Sequence, residues 1–227
     1  MVSTGLYNFN PAAGNLTLMA FSRIGLRPAE ITAQHMADAE TEGNLVQVAL
    51  GNRQPNLWRN ELYSRLLTSG TASYDLPSHF IAIRDAYLTF DGIDQAIWPL
   101  STFQYDLLPD KTLTGRPTQY YITKLMQPTI TFWKVPDSSV NYTVNIRILT
   151  QIQDLSLRNG LTLDLPNRAL DVFVAGLAHR LSRIYARDLE QQRKTDYQEA
   201  WADFANTDTE DLVGLSVIPA LDHYWRQ

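Results

Sequence analysis

The pattern of apolar positions divides the chain into a helical region, a strand-rich region and a second helical region. Near the amino terminus, apolar residues recur three and four positions apart, which predicts helices over residues 15–24 and 28–51. Gly25 stands where glycine commonly ends a helix, and Pro28 stands where proline commonly begins one. The first region is therefore expected to be a pair of helices.

The second of these helices carries a narrow stripe of apolar and small residues on one face. Its members recur at steps of three and four: Met36, Ala39, Gly43, Val46 and Leu50. Because alanine and glycine have little or no side chain, the stripe should allow a neighbouring helix to approach closely. Narrow stripes of this kind would also suit lateral packing of copies around an axis.

From about residue 59 the period changes to two, which is typical of strands. Strands are predicted over 71–76, 86–90, 95–100, 119–124, 129–135 and 140–148. The last is the clearest, because five apolar residues alternate with polar ones and predict a strand with one face in water. Asp91-Gly92 predicts a tight turn between two of the strands. A short helix is expected over 101–108, followed by a polar loop.

Helical spacing returns after Pro166, with an amphipathic helix over 168–186 and a further helix to about Phe204. The predicted fold is α+β: helices from both ends pack as a bundle, an antiparallel β domain is inserted, and a C-terminal arm extends from it. The expected divisions are 1–58 and 161–206 for the bundle, 59–160 for the β domain, and 207–227 for the arm.

The arm has an unusual composition for a chain terminus. It begins with acidic residues and then carries apolar and aromatic ones, among them Leu215, Ile218, Tyr224 and Trp225. Disordered tails are normally poor in such residues. Two interpretations stay open: the segment folds back on its own domain, or it docks on a partner with tyrosine and tryptophan as anchors.

Composition narrows the classes of function. The chain has 227 residues, 44% of them apolar, which is enough to fill a core. It has no cysteine, which excludes disulfides, thiolate metal sites and cysteine nucleophiles. No apolar run approaches the length of a membrane span. A net charge of −5 argues against overall attraction to nucleic acid, although an acidic protein can surround DNA as a conduit.

Candidate catalytic chemistry is sparse. The sequence has no glycine-rich phosphate loop, and its four histidines are far apart, so no cofactor and no metal site are expected. His179 is expected on the surface of a helix or at the edge of the bundle. Two carboxylate pairs, Asp91 with Asp94 and Asp106 with Asp110, fall at turns or helix ends, as does the acidic group at 208–211. Loops this polar are poorly suited to acid–base catalysis.

Aromatic residues concentrate in the predicted strands. They are Tyr120, Tyr121, Phe132, Trp133 and Tyr142. An aromatic strand face can stack nucleic-acid bases, but that mode also needs a basic groove, and only Lys124, Lys134 and Arg147 are nearby. A sheet core combined with a protein contact is the favoured interpretation.

The order of these segments resembles the head-to-tail adaptor proteins of short-tailed bacteriophages, a group that includes tail tubular protein A and the portal-binding adaptors. The resemblance rests on Arg23-Ile24-Gly25-Leu26 before the long helix, the segment 70–77, Trp98-Pro99-Leu100-Ser101, the loop 111–121 with Gly115-Arg116-Pro117, and the aromatic strand 130–136 that ends in Val135-Pro136. Together they cover most of residues 15–205.

The resemblance implies a structural protein of the virion and not an enzyme. Such adaptors form a ring, usually of twelve subunits, between the portal and the tail nozzle, and DNA passes through the ring. It further implies that Leu215, Ile218, Tyr224 and Trp225 dock on the portal or an adjacent subunit, and that the loop with Lys111 and Arg116 faces the nozzle. Assembly would take place in the host cytoplasm, without a membrane. The alternatives are a connector or tail-tube subunit of another tailed phage, or a small carboxylate hydrolase.

Overall fold

Helices from the two ends of the chain share one hydrophobic core. The structure, a computed structural model, describes residues 9–53, 57–158 and 160–207. The long helices are α1 (Ala13–Arg23), α2 (Ala33–Gly51), α4 (Leu170–Tyr185) and α5 (Glu190–Thr207), with a short α3 (Thr102–Asp106) between them in sequence. Short 3₁₀ turns stand at Pro28–Glu30, Leu57–Arg59, Asn167–Ala169 and Arg187–Leu189.

The first two helices follow the sequence prediction, with one difference at the start of α2. Gly25 adopts a positive φ of 89° after α1, as its predicted role in ending that helix requires. Pro28 does not begin α2, because Pro28–Glu30 forms a separate 3₁₀ turn. Extended backbone follows the turn, and the Thr32 side chain caps α2 by accepting a hydrogen bond from the His35 backbone N–H.

The central helix of the bundle is α4. Its side chains are buried on nearly all sides from Leu170 to Ser182, because α1 and α2 cover one side and α5 the other. The sequence predicted a helix with one face in water, but α4 has little exposed surface between Leu170 and Ser182. Gly176 explains how the helices approach so closely: a β-carbon there would lie 3.0 Å from the Tyr197 ring of α5 and 3.1 Å from Val46 of α2.

The intervening residues form two four-stranded sheets. The first has the order β1 (Asn60–Leu66), β8 (Thr143–Thr150), β3 (Phe80–Phe90) and β4 (Ile93–Ala96). The second has the order β2 (Ser73–Asp75), β7 (Thr129–Trp133), β6 (Gln119–Thr123) and β5 (Trp98–Leu100). Side chains of both sheets form a single core that is separate from the core of the bundle. The predicted α+β class is confirmed.

Two features of the sheets differ from the sequence prediction. The segment 95–100 was expected to form one strand, but Ile93–Ala96 pairs with β3 and Trp98–Leu100 crosses to the second sheet. There β5 runs parallel to β6, the one parallel pair among the described strands, whereas an antiparallel β domain was expected. The buried Ile97 anchors the crossing point between the two sheets.

The most regular strand behaves largely as predicted. Val144, Ile146 and Ile148 of β8 are buried in the sheet core, while Asn145 and Arg147 are directed to the other face. The alternation ends at Leu149 and Thr150, which are both buried. The chain then continues as an extended segment, residues 151–157, which lies against α2 and joins the β domain to the bundle.

Candidate interaction surfaces

Two of the acidic groups singled out in the sequence lie on the surface, and the third, at 208–211, is outside the described residues. Asp91, Asp94, Asp106 and Asp110 are all exposed. Hydrogen bonds from the Thr112 hydroxyl and backbone N–H hold the pKa of Asp110 below its usual value. A carboxylate stabilised in its charged form is poorly suited to act as a general acid. The described residues also contain no group of three or more metal-ligating side chains.

His179 lies inside the bundle, which corrects the prediction of a surface or edge position. It is 8% exposed and its ring stacks on Tyr197, with the ring centres 6.2 Å apart. Burial lowers its pKa, and the positive charge of Arg183 lowers it further. The reason for the different position is that α5 covers the side of α4 on which His179 stands. Its role is structural packing.

The aromatic residues of the strands are mostly core residues, as the favoured interpretation expected. Tyr120, Phe132 and Tyr142 are at most 4% exposed. Tyr121 stacks on Tyr105 of α3, with ring centres 4.9 Å apart and planes at 13°. The Trp133 indole N–H donates to the Asp110 carbonyl at 3.0 Å. These rings are engaged within the chain and do not form a stacking platform for bases.

Lys111 and Arg116 both lie on the surface loop of residues 107–118. The Lys111 ammonium stands 5.5 Å from the centre of the Tyr105 ring and donates to the Asp106 carbonyl at 3.3 Å. The Arg116 guanidinium lies 5.0 Å from the Phe90 ring of the first sheet. Each cation is thus held over an aromatic ring, so the loop presents two positive charges in fixed places.

The backbone of the 107–118 loop is tied to the second sheet. The Gly115 N–H donates to the Val135 carbonyl at 2.9 Å, and the Val135 N–H donates to the Leu113 carbonyl at the same distance. Gly115 has a φ of 150°, and a β-carbon there would lie 3.1 Å from the Lys134 side chain. The loop is therefore an ordered surface, on which a partner can dock without first fixing its conformation.

Next to this loop is an apolar surface that the sequence reasoning missed. Trp98, Phe103 and Leu107 are each at least 65% exposed, and we call these three residues the α3 surface. They fall within ten residues of one another, along β5 and α3 at the edge of the second sheet. Large apolar side chains left exposed close together in the chain are typical of protein interfaces. The sequence did contain a signal for this surface: Trp98 stands next to Pro99, and Phe103 follows the helix cap Ser101 by two residues.

A second surface lies on α2. The stripe with Ala39 and Gly43 is buried inside the chain, so it cannot meet a neighbouring subunit, and this corrects the expectation from the sequence. The opposite side carries exposed residues at steps of four, four and three, which we call the outer face of α2: Ala37, Thr41, Leu45 and Val48. A helix face turned toward water is normally charged, and this one is not.

Three carboxylates of α2 are used within the subunit. Asp38 accepts a hydrogen bond from the Tyr185 hydroxyl, Glu40 from the Leu157 N–H, and Glu42 pairs with Arg180 at 3.1 Å. Burial and the neighbouring Asp38 raise the pKa of Tyr185 to about 12. The carboxylates therefore fix α2 against α4 and the 151–157 segment. They leave the outer face without charge.

Four predicted interface residues, Leu215, Ile218, Tyr224 and Trp225, lie outside the described residues.

Comparison with known families shows which family the chain belongs to. A family model described as SU10 adaptor protein matches residues 23–217, which span α2, both sheets, α4 and α5. The chain belongs to the SU10 adaptor protein family. The adaptor matches none of the curated proteins with which its sequence was compared.

Membership gives the adaptor a structural role in a phage particle, as the resemblance implied. It points away from catalysis and toward interaction with portal and tail components and with other copies of the chain. The match continues beyond α5 to residue 217, so it includes Leu215 and ends before Ile218. None of the described helices is long and apolar enough to cross a membrane.

Proposed function

We propose that this adaptor forms a ring, of twelve subunits as in the proteins it resembles, that joins the portal to the tail nozzle and surrounds the path of the DNA. The observation that carries the proposal is the family match over residues 23–217, which includes α2, α4 and α5 of the bundle and the whole β domain. Self-assembly requires surfaces that are complementary between copies, and a ring requires two different surfaces on each copy.

The outer face of α2 supports a lateral contact between subunits. It is uncharged over three turns, with Leu45 45% and Val48 59% exposed. The exposed side of α5 carries residues such as Lys194, Gln198 and Glu199, which suit contact with water. Of these two helices, α2 is therefore the better candidate for burial between neighbouring subunits.

The β domain supports a contact with a further component of the tail. The α3 surface offers apolar anchors, and Lys111 and Arg116 lie on the adjoining 107–118 loop. Apolar anchors bordered by fixed charges are the usual composition of a protein interface. We assign this end of the molecule to the nozzle and the residues Leu215, Ile218, Tyr224 and Trp225 to the portal or an adjacent subunit.

The charge of the chain is compatible with a DNA conduit. At −5 for each subunit, a twelve-subunit ring carries about 60 negative charges, which opposes adhesion of DNA to the ring. The protein is assembled in the host cytoplasm and retained in the neck of the virion in this proposal. No cofactor takes part.

Light scattering of the purified chain, alone and mixed with its portal protein, tests the proposal. We expect a monomer alone and a complex with twelve adaptors in the presence of the portal. Absence of any complex across a range of concentrations and salt would contradict the proposed role. A complex with another copy number would correct the ring size and leave the adaptor role in place.

A further inference from the structure

The first sheet of the β domain has an open edge on each side. Among the described strands, β1 pairs with β8 alone and β4 pairs with β3 alone. An open edge presents backbone N–H and carbonyl groups with which another strand can pair. The edge strands of the second sheet, β2 and β5, have three residues each, and β5 contains Pro99. β1 has seven residues without proline or lysine, so it is the described edge with the least protection against an added strand.

The hydrogen-bond pattern shows which backbone groups of β1 point away from β8. The Leu67 N–H donates to the Tyr142 carbonyl at 2.8 Å, and this pair continues the register of β1 with β8. In an antiparallel pair, the backbone groups of every second residue face the partner strand. The groups of residues 61, 63 and 65 therefore face β8, and those of residues 60, 62, 64 and 66 face the open edge.

The open edge of β4 has the same alternation. The Ile97 N–H donates to the Ala86 carbonyl at 3.1 Å, and this pair continues the register of β4 with β3. The backbone groups of Asp94 and Ala96 therefore face the open edge. β1 and β4 run in opposite directions, because each neighbouring pair of strands from β1 to β4 is antiparallel. When the first sheets of two copies lie edge to edge, β4 of one copy thus meets β1 of the other as an antiparallel strand.

A row of hydrogen-bonded side chains crosses the outer face of the first sheet from one open edge to the other. Ser64 of β1 donates to Asn145 of β8 at 2.6 Å. Asn145 donates to Thr89 of β3 at 2.8 Å, and Thr89 donates to Asp94 of β4 at 2.6 Å. The row therefore ends on an edge strand at each side, with a hydroxyl on β1 and a carboxylate on β4.

We infer that β4 of each adaptor pairs with β1 of the next copy, with Asp94 opposite Ser64 and Ala96 opposite Leu62. The inference rests on the proposed ring and names a contact that closes it. A ring requires two different surfaces on each copy, and the two open edges supply them on opposite sides of one sheet. Both residue pairs have their backbone groups facing each other, so each pair exchanges two backbone hydrogen bonds.

The side chains of the outer face favour this register over its neighbours. Leu62 and Leu66 stand on either side of Ser64 on the same face, and they are 50% and 61% exposed. A shift of two residues in either direction would place the Asp94 carboxylate opposite one of these leucines. In the inferred register the carboxylate meets the Ser64 hydroxyl, so the polar row continues into the next copy. The small side chain of Ala96 leaves room for Leu62.

The other face of the sheet supports the same pairing. Ile93 of β4 is 59% exposed, although it pairs with Phe90, which packs against the sheet core. The register places Ile93 opposite Arg65 of the next copy, whose guanidinium is held 4.7 Å from the centre of the Tyr74 ring. The aliphatic part of the arginine then covers Ile93, since long charged side chains commonly bury their stems along apolar surface.

Disulfide cross-linking in the complex with the portal protein tests the pairing, and the cysteine-free sequence gives it no background. The variant Ala96→Cys/Leu62→Cys carries one thiol on each open edge. Within one copy these thiols are three strand spacings apart, about 14 Å, which is too far for a disulfide. The control Ala96→Cys/Leu66→Cys uses the other exposed leucine of the same face. Under mild oxidation we expect a ladder of covalent multimers that forms at least tenfold faster from the first variant than from the control.

Mixtures of single variants identify which edges meet. Leu62→Cys and Ala96→Cys, mixed in equal amounts before assembly, should give covalent dimers, and neither variant alone should cross-link. Dimers from Leu62→Cys alone would show β1 paired with β1 and would overturn the inference. Equal rates from the two double variants, or no covalent product from any of them, would overturn it as well.

Two further measurements separate this inference from the proposed function. Thermal unfolding, and light scattering with the portal under reducing conditions, show whether the cysteine variants fold and assemble as the unsubstituted chain does. Light scattering of the unsubstituted chain with the portal tests the ring itself. Absence of that complex would contradict the proposed function and the pairing together, whereas an intact complex without cross-links would overturn the pairing alone.

Discussion

Gly43 of α2 faces Leu155 so closely that a β-carbon on the glycine would lie 2.3 Å from the leucine Cδ2 atom. Leu155 is 3% exposed and belongs to the core of the bundle, although it comes from the segment that follows β8. The small residue predicted to admit a neighbouring helix does lie beside α4, since its β-carbon would be 3.5 Å from Phe173, but its nearest neighbour is a side chain of the extended segment. This contact helps to fix the β domain against the helices.

Gly43→Ala should therefore destabilise the protein. Alanine gains about 1 kcal/mol in helix propensity, but the Leu155 side chain must move within a packed core, which costs about 1–3 kcal/mol. We expect a net loss in the free energy of unfolding in urea. Gly14→Ala is the matched control, since a β-carbon at Gly14 of α1 meets nothing within 4 Å and the change should be neutral or stabilising. Equal changes in the free energy of unfolding for Gly43→Ala and Gly14→Ala would contradict the close packing of Gly43 against Leu155.

Tyr185→Phe should cost about 1 kcal/mol at neutral pH, because it removes the hydroxyl that donates to Asp38. The pKa of Tyr185 is about 12 in the folded chain, against about 10 for an unfolded tyrosine. The neutral hydroxyl thus stabilises the fold fully below pH 10, and this stabilisation is lost as the pH rises to 12. The difference between wild type and variant should shrink over that range in denaturant titrations. If the difference in the free energy of unfolding between wild type and variant stays constant over that range, the hydroxyl does not stabilise the fold through Asp38.

His179→Gln should flatten the dependence of stability on pH below neutrality. Burial and Arg183 hold the pKa of His179 below its usual value, so the unfolded chain binds the proton more readily. The neutral imidazole therefore stabilises the fold above about pH 6.5, and this stabilisation is lost as the pH falls. Thermal unfolding between pH 7 and pH 5 measures the effect. Parallel curves for wild type and variant would argue that another group causes the loss.

Charges on the outer face of α2 should prevent ring assembly without unfolding the subunit. The double variant Ala37→Glu/Leu45→Glu places carboxylates on a surface that we expect to be buried between copies, where unpaired charges are costly. Light scattering with the portal should show the ring lost, and circular dichroism should show the fold retained. Gln192→Glu/Gln198→Glu adds the same charge to the exposed side of α5 and should assemble normally. If both double variants assemble normally, the outer face of α2 is not part of the interface between subunits.

Deletion of residues 212–227 should abolish binding to the portal while leaving the bundle and sheets intact. The two described cores are formed by residues between Ala13 and Phe204, so each can be followed separately in the truncated chain. Sedimentation of the truncated chain with the portal provides the measurement. Replacement of Tyr224 and Trp225 by serine in the full-length chain separates the anchors from the rest of the arm. Portal binding unchanged by the deletion would refute the role assigned to the arm.

The apolar periodicity of the sequence determined where the main helices and most of the strands lie, because a segment with one buried face must repeat at the period of its backbone. It predicted the stripe of α2, of which Ala39, Gly43, Val46 and Leu50 are buried, and a short helix over 101–108, where α3 lies. The family resemblance rested on the order of segments over most of residues 15–205, and the family match over residues 23–217 agrees with it. These properties depend on residues close together in the chain.

Only the tertiary structure decided which surfaces are left for other molecules. The buried position of His179 depends on α5 covering α4, and the parallel pairing of β5 depends on the chain crossing between sheets at Ile97. The unpaired amide of Gln47 and the exposed α3 surface likewise depend on which distant segments pack over them. The exposure of a residue is set by neighbours far away in sequence, and a local pattern carries no information about them.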